Sequence, residues 1–514
     1  MNNPIHHRSW ILGTSRRAAG AALALAIMLV PAVLAPGSAQ AQTYTESVLY
    51  SFTGAPDGAS PEGSLVLDAK GNLYSTTYNG GADNQGTVFM VGATGKETVL
   101  YSFTGFTGTG DGSGPAAGLV RDSQGNLYGT TVSGGAYTDG TAFELDTAGQ
   151  ETVLHSFGAY AGDGVMPGAP LVRDAQGNLY GTTGGVDISQ WGTVFEVDAA
   201  GNETVLYSFK GPPDGAAPFT AGLVQDPQGN LYGTTFGGGL QGCSQGYEGC
   251  GTVFKVDLSG NETVLYRFTG TDGDGANPYA GLLLDKQGNL YGTTEYGGTS
   301  GDGTVFELDT TGKETVLFSF NWRQASNPLG VPLADAQGNL YVTASSGGSP
   351  GCGAVIKLDT AHNMTVLYTF TGTGGDGAYP EAGLTQDAKG NLYGTTWGGG
   401  DLACNAPTGC GTVFKLTAAA RTKTTTTLTS APNPSTYGEA VTFTAVVAPV
   451  PPDGETVSFM KGKTVLGTGT LSGGTATFVT STLKVGTTSV TAVYGGDSEF
   501  NGSKSKPVKQ VVEK

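Results

Sequence analysis

Residues 171–183 read LVRDAQGNLYGTT, and residues 192–209 read GTVFEVDAAGNETVLYSF. Together they hold four strand-like runs. LVRD and NLYGTT flank a turn that ends at Gly177, while GTVFEVD and ETVLYSF flank AAGN. An Asp followed three residues later by Gly suits a type I turn with a left-handed glycine, which makes a tight hairpin. Asp174 and Asp198 therefore read as turn formers. GNLYGTT recurs at Gly125, Gly177, Gly229, Gly288 and Gly390, with GNLYSTT at Gly71 and GNLYVTA at Gly338. Four antiparallel strands repeated about every 50–60 residues are the signature of a β-propeller blade. Each blade is covered on both faces by its neighbours, so its strands are apolar on both sides. Leu179 and Tyr180 are expected to face opposite neighbours.

Seven GNLY hairpins predict seven blades. ESVLYSF stands at Glu46–Phe52, before the first hairpin, and the last unit ends at GTVFKLT, Gly411–Thr417, with no ETVLYSF after it. In a closed ring the early strand fills that place, so residues 46–52 should run antiparallel to 411–417. An open solenoid is the alternative, and it leaves two unpaired edges.

The composition agrees with an all-β chain. Of 514 residues 87 are glycine, apolar residues make up 38%, and no stretch reads as a long amphipathic helix. Residues 1–41 read as an export signal: Arg8, Arg16 and Arg17, the apolar run AAGAALALAIMLVPAVLA, then AQA at Ala39–Ala41. A membrane anchor is the rival reading, against which Pro31, Pro36 and the cleavage-like end weigh. No second apolar segment follows. The formal charge is −18, which leaves no electrostatic footprint for nucleic acid. The expected location is extracellular or at the cell surface, or the periplasm, and the expected state a monomer.

The repeat GTVFEVDAAGNETVLYSF followed by AGLVQDPQGNLYGTT resembles the bacterial GloVer tandem repeat of exported choice-of-anchor proteins, over residues 46–417. The resemblance implies location and shape and carries no catalytic residues. LVRDAQGNLYGTT is also similar to the inner hairpin of NHL-type propellers and SMP-30-like lactonases, whose metal ligands have no counterparts here. After residue 420 the composition shifts. RTKTTTTLTSAPNPS reads as a Thr-rich linker over 421–430, and the alternating strands of 431–514, with VTAVYGGDSEFNGS, resemble a bacterial Ig-like domain. The expected architecture is thus an export signal (1–41), a seven-bladed propeller (42–420), a linker and an Ig-like β-sandwich.

Strand parity puts the two long connections of every blade on one face and the tight turns on the other. Variation collects on the long-loop face, where ligands are expected. It carries the tryptophans Trp191, Trp322 and Trp397, with Tyr78, Phe236 and Tyr296 just after the TT of their strands. Flat rings beside acids and amides suit stacking on sugars, and packing of loop against loop is the alternative. Six units also place an Asp in the connection after VLYSF: Asp57, Asp111, Asp163, Asp214, Asp274 and Asp376. Gln324 takes the place in the remaining one. These acids read as turn formers or as oxygen ligands for calcium.

Cys243 and Cys250, then Cys404 and Cys410, fall at matching points of the long loop and are expected to form two local disulfides, leaving Cys352 free. Only His155 and His362 remain beyond the signal, so neither a catalytic triad nor a zinc cluster can be argued. The leading functional reading is a secreted or cell-surface binding protein for a polysaccharide or surface glycan. The alternatives are a carbohydrate-active enzyme, either glycosidase or lyase, and a purely structural surface protein.

Overall fold

The computed structural model describes residues 44–105, 110–185, 191–218, 220–243, 249–418, 421–497 and 500–514. The export-signal reading falls outside them. The described residues form strands and turns without a helix, and none contains a helix long and apolar enough to cross a membrane. Two units result, Ala41–Thr422 and Lys423–Lys514.

The first unit contains seven four-stranded antiparallel sheets of one design. In the third blade the order is Val172–Arg173, Leu179–Thr183, Thr193–Val197, Glu203–Ser208. Six blades are built from consecutive strands. The seventh joins Thr385–Gln386, Leu392–Thr396 and Thr412–Ala418 to Tyr44–Ser51 from the other end of the ring. Tyr44 pairs with Ala418 and Ser51 with Thr412, antiparallel. Even the irregularity between Val48 and Tyr50 matches the one found in the other outer strands. The ring therefore closes by strand exchange, as the missing hairpin partner predicts.

The letters of GNLYGTT can now be read one by one. The glycine turns the hairpin at positive φ, 98° at Gly177. The asparagine amide returns to the turn aspartate, Asn178 Nδ2 to Asp174 at 3.0 Å, and the tyrosine hydroxyl donates to the same carboxylate at 3.2 Å. Leucine and tyrosine serve opposite neighbours: Leu179 clusters with Tyr128 and Phe157, Tyr180 with Leu231 and Phe254. The second glycine lies across the ladder from the phenylalanine of TVF; a Cβ on Gly181 would stand 2.5 Å from Phe195 Cζ. The first threonine donates to a backbone carbonyl just before the first strand of the next blade. This bond recurs at all seven junctions, at 2.6–3.3 Å. The second threonine pairs with the threonine of GTVF at 2.8–2.9 Å in six blades.

The sixth blade, spelled GNLYVTA, changes in matched pairs. Val342 replaces the glycine where Ile356 replaces the phenylalanine across from it, and Ala344 faces Ala354 where other blades pair two threonines. Volume and polarity are conserved across the ladder rather than at one position.

The two long connections of a blade meet each other. In four places they form two-residue ladders, such as Gly58–Ala59 with Asn79–Gly80. Cys243 is bonded to Cys250 and Cys404 to Cys410, and Cys352 carries a free thiol.

In the C-terminal unit a three-stranded sheet (Thr425–Ala431, Val441–Ala448, Thr475–Thr480) and a six-stranded one share a core of Phe443, Val457, Phe459, Val490 and Tyr494. The Thr-rich stretch read as a linker is mostly strand: Thr425–Ala431 pairs with Val441–Ala448, every second threonine turned outward. Its polar composition reflects one solvated face, not a flexible connection.

The glycine–phenylalanine exchange is testable. Gly181→Val should lower stability by about 1–3 kcal/mol through overpacking, measured by chemical denaturation. The double variant Gly181→Val, Phe195→Ile, which copies the sixth blade, should recover much of the loss. No recovery would refute the account.

Candidate functional site at the channel mouth

The segments that precede the first strand of each blade converge. Glu62, Ala116, Gly168, Thr220, Tyr279, Leu329 and Glu381 come from all seven repeats and line one small cavity. A cavity shared by all seven blades marks the ring axis, so the first strand of each blade is the innermost. Its wall is mostly backbone. A Cβ on Gly281 would stand 2.4 Å from the Gly222 carbonyl oxygen of the neighbouring blade, so glycine is needed for the segments to meet. Against this plain wall the polar groups stand out: Glu62, Glu381, Tyr279 and Thr220.

A second tier sits just after the TT of the second strands, where Tyr78, Phe236, Glu295 and Trp397 occupy equivalent positions. The backbone N–H of Trp397 donates to Tyr379 O and that of Tyr78 to Ser60 O, both at 3.0 Å. The Trp397 side chain hydrogen-bonds the Glu62 carboxylate, and the Trp397 ring lies 6.3 Å from that of Tyr379. Phe236 meets Tyr279 edge to face, also at 6.3 Å. Burial, and then the Glu381 carboxylate, push Glu62 up to about 8. Burial, and then Glu295, push Glu381 up to about 7. Glu295 itself is raised by burial, against the hydrogen bond of Tyr296. Like charges gathered in a confined site hold protons in this way. At neutral pH the group offers both carboxyl donors and carboxylate acceptors beside aromatic faces.

The residues expected to stack on a ligand are not all brought together. Trp397, Tyr78 and Phe236 surround the mouth. Tyr296 lies one residue beyond that ring, partly packed in an interblade core and bonded to Glu295. Trp191 packs against the cluster of Val194 and Phe209, its ring pressed on Gly211. Trp322 is 55% exposed on another loop, with its backbone N–H held by Asp302 at 2.8 Å. The sequence reading missed Glu62, Glu381, Glu295 and Tyr279. The signal was there: Glu62, Tyr279 and Glu381 each follow the proline of the repeat, the one column where polar residues interrupt small and apolar ones.

The six aspartates lie at the junctions between outer strands, one per junction, each held by its own loop. Asp214 accepts from the Tyr207 hydroxyl at 2.8 Å, from Lys210 N at 3.0 Å and from Gly215 N at 2.7 Å. Asp57 and Asp111 take the hydroxyls of Tyr50 and Tyr101 at 2.9 and 2.6 Å. Tyr266 and Tyr368 hydrogen-bond Asp274 and Asp376, and His155 meets Asp163. Each aspartate also faces a glutamate of the next outer strand: Asp57 and Glu97, Asp111 and Glu151, Asp163 and Glu203, Asp214 and Glu262, Asp274 and Glu314, Asp376 and Glu46. Where Gln324 replaces the aspartate, Phe318 replaces the tyrosine and Met364 the glutamate. The three positions change as a unit.

The model of the Gloeobacter/Verrucomicrobia repeat matches residues 38–189, 159–330 and 311–471. The chain belongs to this repeat family. Among solved structures, this family member is similar to an extracellular domain assigned to a one-component system of B. thetaiotaomicron, with 14% identity over 93% of this chain and a TM-score of 0.45. It spans 58% of that domain's length. A gluconolactonase from Xanthomonas campestris shares 16% identity over 57% of this chain and 82% of its own, with a TM-score of 0.33. A Bacteroides thetaiotaomicron protein of unknown function shares 13% over 68% of this chain and 89% of its own, with a TM-score of 0.35. No curated protein matches the chain.

The acid pairs set a pH dependence. Burial first, and the facing aspartate second, push Glu46, Glu97, Glu151, Glu262 and Glu314 up to about 7. The folded ring keeps these protons where the unfolded chain, ionising near 4.5, releases them. Rising pH therefore favours the unfolded state across the window from about 4.5 to 7. The melting temperature should be higher at about pH 5 than at about pH 8, and Glu97→Gln should flatten the slope. A midpoint that is level or rises across that interval would contradict the assignment.

Proposed function

We propose that this chain is a secreted or cell-surface binding protein that holds a polysaccharide or surface glycan over the channel mouth. The observation that carries the reading is the meeting of Trp397, Tyr78, Phe236 and Tyr279 with three carboxyl groups above a cavity shared by all seven blades. Aromatic faces stack on the apolar faces of sugar rings, and mixed carboxyl and carboxylate groups donate to and accept from hydroxyls. The two disulfides fit an oxidising compartment. Trp322, exposed and set farther out, extends the stacking surface along a polymer. Weak contacts repeated along a chain add through multivalency. Calcium ordering of the aspartate loops belongs to the same reading, as a support for the face and not as part of the mouth.

One observation favours a second reading. Glu62 and Glu381 are neighbouring carboxyl groups raised to about 8 and about 7. Such a pair suits the acid and base of a glycosidase or lyase.

An array of immobilised polysaccharides, with and without calcium, separates the cases when released sugars are assayed alongside. Retention without product supports binding, and Trp397→Ala should weaken it about fivefold, the loss of roughly 1 kcal/mol for one aromatic contact. Product release that disappears in Glu62→Gln, with retention preserved, supports the enzyme. Absence of both across a broad array would overturn the two readings together and leave a structural role.

A further inference from the structure

The junction between the second and third blades differs from the others in one residue that alters its chemistry. The other six outer strands place Tyr or Phe two residues before their final Phe; here it is His155. His155 Nε2 lies 3.3 Å from Asp163 Oδ1, and the Asp163 side chain is fully buried while that of His155 is 15% exposed. Glu203, from the next outer strand, completes the group: one ligand atom from each of the three residues lies within 4.8 Å of the others. Among the described residues no other trio of His, Cys, Asp or Glu is gathered this closely.

We infer that His155, Asp163 and Glu203 form a binding site for a divalent transition-metal ion of the zinc type, bridging two blades.

The geometry suits such an ion. Ligand atoms at about 2.0–2.1 Å from a tetrahedral metal are separated by roughly 3.3 Å, which is the spacing of His155 Nε2 and Asp163 Oδ1. One imidazole nitrogen and two carboxylate oxygens leave a fourth position for water or a ligand group. Glu203 Oε1 is sealed from solvent without a hydrogen-bond partner, whereas its Oε2 accepts from the Tyr160 hydroxyl at 2.6 Å. Tyr160 thus orients the carboxylate through Oε2; a bare Oε1 is also found on Glu46, Glu97, Glu151, Glu262 and Glu314 at the other junctions, and among the described residues only here does a histidine join the group. Asp163 keeps its Oδ2 on the backbone N–H of Ala159 at 2.9 Å, which leaves Oδ1 facing the histidine. The neighbouring Asp139 carboxylate adds to the negative field. Calcium fits poorly, since it seeks six to eight oxygens and not an imidazole.

The ring supplies its own control. His155→Tyr restores the residue that most other junctions carry beside the same Asp and Glu, so it should fold normally. Metal-free full-length protein is titrated with Co²⁺ and followed by visible absorption, and its melting temperature is read with and without Zn²⁺. The wild type should develop the ligand-field bands of a tetrahedral nitrogen–oxygen site at one equivalent and should melt several degrees higher with Zn²⁺. His155→Tyr should show neither effect and should melt like the metal-free wild type. Glu203→Gln, as a second variant, should weaken Co²⁺ binding at least tenfold. Absent bands in the wild type, or bands and a Zn²⁺ shift that persist in both variants, would overturn the proposal.

Discussion

One hydrogen bond, from the first threonine of each TT to a carbonyl at the head of the next blade, sets the phase of the whole ring. The sheets themselves are satisfied internally and could slide past each other on apolar faces without losing a ladder bond. A buried hydroxyl that must find its acceptor across the junction removes that freedom, because leaving it unmade is costly. The bond recurs at every junction and ends with Thr395 on Gly63, 332 positions away in sequence. It fixes how far the head of each inner strand advances towards the axis. The backbone wall of the channel, and the placing of Glu62 and Glu381 within reach of one another, follow from that.

Most of the architecture was legible because repetition makes the sequence its own alignment. Asp174 could be read as a turn former because the same Asp-x-x-Gly-Asn recurs in every unit, and the structure spends both its oxygens on Asn178, Tyr180 and the turn backbone. The orphan ESVLYSF announced how the ring closes. The changes in the sixth blade were also visible, but their meaning was not, since Val342 answers Ile356 only once the register is known. The same holds at the outer junctions. Met364 lies far from Phe318 and Gln324 in sequence, and only the packing of one blade's outer loop against the next blade's strand shows the three as a single coordinated loss.

The candidate site was harder to read for a physical reason. Tryptophans attract attention as rare, large residues, yet their position along a loop says little about radius. Trp397 hydrogen-bonds Glu62, Trp191 is drawn into an interblade core by Val194 and Phe209, and Trp322 stays exposed on its loop. The acids at the mouth were hidden by their ordinary context, a Pro-Glu in a turn. Their significance comes from convergence of seven equivalent segments, a property of the closed ring and not of any one repeat.

The strand Tyr44–Ser51 has a consequence for how the molecule is made. It belongs to the blade assembled last, while it is synthesised first. Throughout elongation the growing chain carries two raw sheet edges, one at this strand and one at the newest blade, and neither can be capped by its proper partner until Thr412–Ala418 emerges. Folding of the ring is thereby coupled to its completion, and a chain halted partway is a template for pairing with another copy. Order of synthesis and order of closure run in opposite senses, so the window of vulnerability to misassembly is set by the time needed to deliver the last hairpin.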